Sequence, residues 1–395
     1  MIDDGFYEDL QRVVTPGEPG HGLPNPAYIS DDVFAMEQRV VFDATWACIG
    51  FDKDVPLVND VFPLTFLGQP MVMTRANDGA VRVFHNVCSH RGMILVDKPG
   101  QVKGALRCPY HSWCYDHSGN LKSTPFIGGH DQHDHPSFDK SEYGLREIRS
   151  ATSFGLVFVN LSGDAPDFEI QHAEFLDRWA EFKNAPLIHS GSDSTLHFTL
   201  NTNWKLAVEN YCESYHLPWV HPELNKYSRI EDHYNICEWG RFSGQGTTVY
   251  SPDLIKGGNL AFPVLPGLSE KWDTGAEYIA LYPNVLLGIH KDHYFAIQIV
   301  PNGPHQCLER VEIFYFEDIC ATTDYAELRL ANAKNWQKIF NEDVYVVEGM
   351  QRGRASSCFS GGVFSPALDT ATRCFHMWVS DKYLTSAAAH PRVAE

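Results

Sequence analysis

The sequence predicts an α+β protein of two domains behind a short N-terminal arm. Three observations carry that expectation. A strand-rich stretch runs from Trp46 to Leu161, broken by Gln69-Pro70 and Asn77-Asp78-Gly79 turns. Residues 278–316 read as a β-meander. Between Tyr325 and about Gly353, Leu328, Leu330, Trp336, Ile339, Phe340, Val344 and Val347 recur at helical spacing. A chain of 395 residues suits two or three domains. At 44% apolar and 13% aromatic it can build a substantial core. The formal charge of −19 argues against nucleic acid or an anionic membrane as partner. It permits a cationic substrate or a basic redox partner.

Taken in order, residues 1–29 are rich in Pro and Gly and read as an irregular arm. Ser30, followed by Asp31 and Asp32, is a helix-start signal for Val33 to Phe42. Segments 61–68, 70–76 and 81–87 read as strands, and 142–161 returns to strand character before the acidic connector 162–169. Between these, His130, His133 and His135 look like a metal group. Their segment is polar and Gly-rich without helical or hairpin spacing, so a solvated loop is the better reading. Residues 174–183 read as helix, and HFTLNTNWKLAV as a strand leading into a helix. After the long helix the last forty residues read as irregular, with a Trp378-Val379 pair.

The first chemical stretch holds Cys88-Ser89-His90, then seventeen residues, then Cys108-Pro109-Tyr110-His111. Each short loop offers one thiolate and one imidazole. Two Cys on one iron and two His on the other make a Rieske [2Fe–2S] centre. A structural zinc would use the same four donors. Pro109 stiffens the second loop, and Gly92 and Gly104 supply turn freedom. The other eight cysteines are scattered and read as free thiols of a reducing compartment. The N-terminus lacks a signal-peptide pattern and no apolar run approaches a membrane span, so a cytoplasmic location is expected.

The second chemical stretch is 203–224. On a continuous helix Glu209, Glu213 and His216 would share a face. His221 would point elsewhere unless Pro218 ends the helix and lets it swing back beside His216. Two imidazoles and a distant carboxylate would then form the facial triad of non-haem iron oxygenases.

The segments CSHRG (88–92) and CPYHSWCYDHSGNL (108–121) resemble the Rieske domain of ring-hydroxylating and related non-haem iron oxygenases. Respiratory Rieske proteins are a poorer match, since Met93 and Tyr110 stand where those carry extra cysteines. The resemblance spans about 40–390 and extends to the acid-x-x-His-x4-His pattern of Glu213, His216 and His221. It implies that Cys88, His90, Cys108 and His111 hold the cluster, and that His216 and His221 bind a mononuclear Fe(II). Asp343 would complete the triad, with Glu342 second in rank. Glu213 would link the cluster of one subunit to the iron of its neighbour, and Asn203, Glu209 and Asn210 would orient ligands.

The same resemblance implies an N-terminal arm and helix (1–44) packing with the catalytic half. It implies an antiparallel Rieske β domain (45–165) and a helix-grip (START-like) catalytic domain (166–395), whose curved antiparallel sheet surrounds a long helix. It further implies a homotrimer. The chain carries no flavin or nicotinamide fingerprint, so NAD(P)H and flavin would act through a separate reductase, with or without a ferredoxin.

Many relatives have Asp at the bridge. Glu213 is closer to the branch acting on choline, glycine betaine and carnitine. That branch, the Gln351-Arg352-Gly353 segment and the aromatics Tyr211, Tyr215, Trp219, Tyr282 and Phe295 favour monooxygenation of a quaternary ammonium or N-methylated compound. Hydroxylation of an aromatic ring or acid is the alternative, in which His290, Lys291 and His293 could meet a carboxylate. A Rieske electron carrier without oxygenase activity is a third reading, disfavoured by the second site.

Overall fold

The computed structural model describes residues 2–255 and 260–389, with side chains to 386. The chain forms two compact units: Asp43–Ala165, and Met1–Phe42 together with Pro166–Glu395.

The Asp43–Ala165 unit holds a seven-stranded antiparallel sheet. Its order is Ala47–Phe51, Leu156–Asn160, Glu147–Ser153, Val81–His85, Gln69–Arg75, Asp60–Phe66 and Gly100–Gln101. A three-stranded sheet of Leu106–Arg107, Cys114–Tyr115 and Leu121–Ser123 accompanies it. Val61, Val72, Phe84, Leu106, Trp113 and Tyr115 pack into one core that also encloses Cys88 and Cys108. The strands expected between the Gln-Pro and Asn-Asp-Gly turns are present, and the cysteine loops spring from this core.

The larger unit is organised on a second seven-stranded antiparallel sheet. Its order is Thr195–Leu200, Cys307–Tyr315, His293–Pro301, Val285–Ile289, Ala276–Leu281, Phe242–Thr247 and His233–Glu238. The expected meander is its middle. Phe242–Thr247, Ala276–Leu281 and Val285–Ile289 are buried at every position. Successive side chains point to opposite faces, so these strands are covered on both. The helix Trp204–Cys212, the 28-residue helix Ala326–Gly353 and the C-terminal helix Thr370–Ala389 pack in this unit.

Two expectations fail. The N-terminal arm is not irregular throughout: Asp4–Val14 is a helix, capped by Asp3, whose Oδ1 accepts from Phe6 N at 2.9 Å. Phe6, Leu10 and Val13 bury one face at the four-then-three spacing of a helix. The turn residues after Thr15 mask this signal. At the other end the irregular reading gives way to the helix Thr370–Ala389. Ala371, Cys374, Phe375, Trp378, Val379 and Tyr383 are buried along it, again at helical spacing. Residues 390–395 lie outside the described residues. Downstream of Ser30, whose Oγ accepts from Val33 N, the helix Asp31–Glu37 runs on as a π-helix over Gln38–Asp43.

His172 gives this unit an acid-sensitive point. Burial, with the nearby Arg241 charge, depresses its pKa from 6.5 to about 4. The unfolded chain therefore binds a proton that the folded chain refuses. The stability this group contributes is full above about pH 6.5 and is lost as pH falls toward 4. Wild type should lose about 3 kcal/mol across that window that a His172→Phe variant retains, as read by urea denaturation at several pH values.

Candidate functional site

The two cysteine loops are built alike. Gly92 N donates to Cys88 O at 3.0 Å and Cys88 N to Met93 O at 2.8 Å. Ser112 N donates to Cys108 O at 3.0 Å and Cys108 N to Trp113 O at 2.8 Å. Each loop closes on a left-handed residue, Gly92 (φ 74°) and Ser112 (φ 59°). Gly92 meets that demand without strain. Both thiols are buried, at 1% and 2% exposure for Cys88 and Cys108. The His90 and His111 rings lie 4.7 Å apart, and Trp113 stacks on His90 at 4.6 Å.

Nδ1 of His90 and Nδ1 of His111 are both buried without a hydrogen-bond partner among the described residues. Two buried thiols and two unsatisfied imidazole nitrogens fit an iron–sulfur cluster. Tyr115 Oη, 3.2 Å from Cys88 Sγ, adds the kind of polar contact to sulfur that tunes such a centre. A single zinc would need all four donors gathered around one ion. Among the described residues the compact donor set is a different one.

That set is His216, His221 and Asp343, with one ligand atom from each lying within 4.8 Å of the others. Local structure differs from the sequence expectation. The helix ends at Cys212, and Glu213 has left it with φ −122° and ψ 160°. Glu209, Glu213 and His216 therefore share no helix face. Pro218 does not end a helix; it sits in the first turn of the short helix Leu217–Val220, where its missing N–H costs nothing. His216 and His221 flank that turn, which brings their rings to 5.1 Å.

Each imidazole is held by a carboxylate at Nδ1. Glu213 Oε1 is 2.6 Å from His216 Nδ1, and Glu342 Oε2 is 2.9 Å from His221 Nδ1. The Nε2 atoms face Asp343 Oδ1, at 3.7 Å from His216 and 3.0 Å from His221. Asn210 Nδ2 donates to the same oxygen at 2.8 Å. Burial would lower the His221 pKa, but Asp343 and Glu342 outweigh it and raise it. Two imidazoles, one carboxylate and an anionic surrounding fit a divalent iron.

Several expected site residues lie elsewhere. Glu209 is buried and points away, toward Tyr28, His376 Nε2 at 3.0 Å and Arg354 Nη2 at 3.7 Å. Burial would raise its pKa, but the His376 and Arg354 charges hold it below the usual carboxylate range. It ties elements together and touches no ligand. Asn203 caps the helix, its Oδ1 accepting from Lys205 N at 3.1 Å. Gln351 is structural too, accepting from Asn203 N at 2.9 Å.

A cavity of about 60 Å³ opens at the triad. Tyr211, Tyr278, Phe295, Trp336 and Phe340 give it an aromatic wall, and Ser228, His233 and Gln245 a polar one. Tyr211 and Phe295 were expected there. Tyr215 and Trp219 are not in it; they pack on each other in an exposed position, Trp219 at 72%. Tyr282 is buried between Phe375 and Trp378, its hydroxyl donating to Ser243 Oγ at 2.6 Å.

Tyr278, Trp336 and Phe340 were missed. For the last two the signal existed: Trp336, Ile339, Phe340 and Asp343 fall on one helix face. A larger cavity of about 330 Å³ contains His290, Lys291 and His293 but no triad residue. His293 is committed within the protein, accepting from Trp336 Nε1 at 3.1 Å and pairing with Asp292 at 2.7 Å. His130 is exposed, and His133 and His135 accept loop amides at Nδ1.

Comparison with known proteins agrees with this chemistry. Residues 45–134 match the Rieske [2Fe-2S] domain family, and residues 176–385 match the ring-hydroxylating alpha subunit catalytic domain. The glycine betaine monooxygenase oxygenase subunit of Chromohalobacter salexigens is 26% identical, over 92% of this chain and 86% of its own length. Choline monooxygenase of Atriplex hortensis is 26% identical, over 95% and 80%. Among solved structures, the quaternary ammonium Rieske monooxygenase CntA with L-carnitine aligns with a TM-score of 0.75 at 21% identity, over 96% and 99% of the two chains. Naphthalene 1,2-dioxygenase of Rhodococcus sp. aligns at 0.77 and 17% identity, over 98% and 100%. The chain thus has the Rieske-plus-helix-grip fold, and it belongs to the ring-hydroxylating oxygenase alpha-subunit family: a terminal oxygenase of the Rieske non-haem iron class.

Proposed function

We propose that this oxygenase monooxygenates a quaternary ammonium or N-methylated compound, by N-demethylation or hydroxylation, in the cavity at His216, His221 and Asp343. The observation that carries this reading is the aromatic wall of Tyr211, Tyr278, Phe295, Trp336 and Phe340 beside the triad. Ring faces attract a desolvated cation, the more so when water is excluded. The names of the curated relatives support the same substrate class.

His216, His221 and Asp343 would hold the mononuclear Fe(II), and Cys88, His90, Cys108 and His111 the cluster. When bound, the iron supplies dioxygen-activating redox chemistry and the cluster stores an electron. Glu213 and Glu342 accept hydrogen bonds from Nδ1–H, the tautomer that leaves the Nε2 lone pairs for the metal. The aromatic wall holds the cationic head and excludes water, so a methyl group can rest against the triad. The balance for an N-methyl group is N–CH3 + O2 + 2 e− + 2 H+ giving N–CH2OH and H2O. The hydroxymethyl product then breaks its C–N bond: the electron pair stays on nitrogen, the hydroxyl proton leaves to water, and the demethylated amine and formaldehyde are released. The two electrons come from NAD(P)H through a separate flavin reductase, with or without a ferredoxin. A homotrimer in the cytoplasm completes the reading. No helix among the described residues is long and apolar enough to cross a membrane.

The test is turnover with a surrogate reductase, NADH and O2 on choline, glycine betaine, carnitine, proline betaine and aromatic acids. Formaldehyde from a betaine is the expected result. Choline oxidised without formaldehyde means C-hydroxylation. Turnover of aromatic acids alone overturns the quaternary-amine reading and leaves the oxygenase class intact.

A further inference from the structure

Glu342 directly precedes Asp343 on the long helix, and the sequence leaves it as a rival for the third ligand position. Its carboxylate does other work. Glu342 Oε2 lies 2.9 Å from His221 Nδ1, while Asp343 Oδ1 lies 3.0 Å from His221 Nε2. Consecutive carboxylates of one helix thus meet opposite edges of one imidazole. A neutral imidazole has one N–H and one lone pair, and the partner of one nitrogen decides the state of the other. A carboxylate accepts only from a protonated nitrogen. With Nε2 committed to a metal ion, the ring's one hydrogen sits on Nδ1, where Glu342 accepts it; without the ion Asp343, 3.0 Å from Nε2, competes for it.

Glu213 does the same for His216 at 2.6 Å, but the two acids are built differently. Glu213 is three residues from its imidazole, in the same turn, and travels with it. Glu342 comes from a different element. Its bond fixes His221 relative to the helix that carries Asp343. Its other oxygen lies 3.8 Å from Lys338 Nζ, one helical turn back, and its side chain is 26% exposed.

We infer that Glu342 is a positioning residue of the mononuclear centre. By accepting from His221 Nδ1 it favours the tautomer that offers Nε2 to iron and holds the ring to the helix that carries Asp343. The inference rests on reading His216, His221 and Asp343 as the iron ligands.

The test is the Fe(II) dissociation constant, by competition with a colorimetric ferrous chelator, on full-length protein with its cluster intact. Glu342→Ala removes the acceptor. Glu342→Gln keeps a carbonyl within reach but loses the charge. The alanine variant should bind Fe(II) roughly 10–100-fold more weakly. The glutamine variant should recover most of that loss, and the visible spectrum of the cluster should not change in either. Wild-type affinity in Glu342→Ala, or no rescue by glutamine, overturns the assignment. If the alanine variant does not fold, Glu342→Asp withdraws the carboxylate by one methylene: weaker iron binding supports the role, and wild-type affinity overturns it. Asp343→Ala separates the two levels. Unchanged iron affinity there sinks the ligand reading and this inference together. Loss of iron there, with wild-type affinity in Glu342→Ala, sinks only the inference.

Discussion

Asp343→Ala protein will lose its mononuclear iron and its turnover while keeping the visible absorption of the cluster. Asp343 Oδ1 is the atom that both imidazole Nε2 edges face, and Asn210 holds it in place. Alanine leaves two imidazoles and no carboxylate donor. The loss of iron affinity should exceed the roughly 10–100-fold that removal of an outer hydrogen-bond partner costs. The candidate cluster donors belong to the other compact unit and share no residue with the triad. His216→Ala should behave in the same way. Iron analysis, visible spectroscopy and turnover on one preparation decide the matter. A collapsed spectrum with surviving turnover would reverse the division of the two sites. Glu213→Gln should differ: its amide oxygen can still accept from His216 Nδ1, so both metals stay. Coupling between cluster and iron should fall, read as slow cluster oxidation in a single turnover. Full activity in that variant removes Glu213 from the bridging role.

Glu37→Ala will destabilise the catalytic unit by roughly 3–5 kcal/mol while touching no candidate ligand. Glu37 and Lys205 form an ion pair in which both side chains are fully buried. Trp204 Nε1 donates to the same carboxylate at 3.2 Å, and so does the Tyr383 hydroxyl. One carboxylate therefore ties the helix Asp31–Glu37 to the helix Trp204–Cys212 and to the C-terminal helix. Burial already lowers the Lys205 pKa against the pull of Glu37. Without Glu37 the ammonium would be buried and unpaired, and Trp204 and Tyr383 would each lose an acceptor. Urea denaturation measures the loss. The paired change Glu37→Leu with Lys205→Met removes both charges at similar volume and should recover most of it. If the single and double variants are equally weakened, shape and not charge holds these helices together.

Local chemistry is what a sequence displays, and the sites of this chain are mostly local chemistry. The cysteine loops are two short turns, each bringing its own thiolate and imidazole, so spacing and residue type announce them. The His216–His221 turn is as compact. Asp343, far along the chain, was reached only through resemblance to relatives, because no spacing links a residue on one helix to a turn some 120 residues earlier. The meander and the long helix were legible from their hydrophobic periods.

Other features had weaker or competing signals. The helix Asp4–Val14 was hidden behind the Pro- and Gly-rich run that follows it. The C-terminal helix buries a broad face and carries no sharp polar-to-apolar alternation. The helix break at Glu213 ran against the reading that a continuous helix aligns Glu209, Glu213 and His216. Which aromatics line the cavity depended on which strand lies under which helix: Tyr278 enters from the sheet, while Tyr282, four residues on, is carried into the packing of Phe375 and Trp378.

Residue type and spacing pointed to the candidate donors and to the class of chemistry, because thiolates, imidazoles and carboxylates act through their own atoms wherever the chain places them. Packing, and no local pattern, places Glu342 against His221 Nδ1, sets Glu209 in a buried ion network, and selects which rings face the cavity. Those outcomes depend on distances between segments remote in sequence, which packing fixes and no local pattern records.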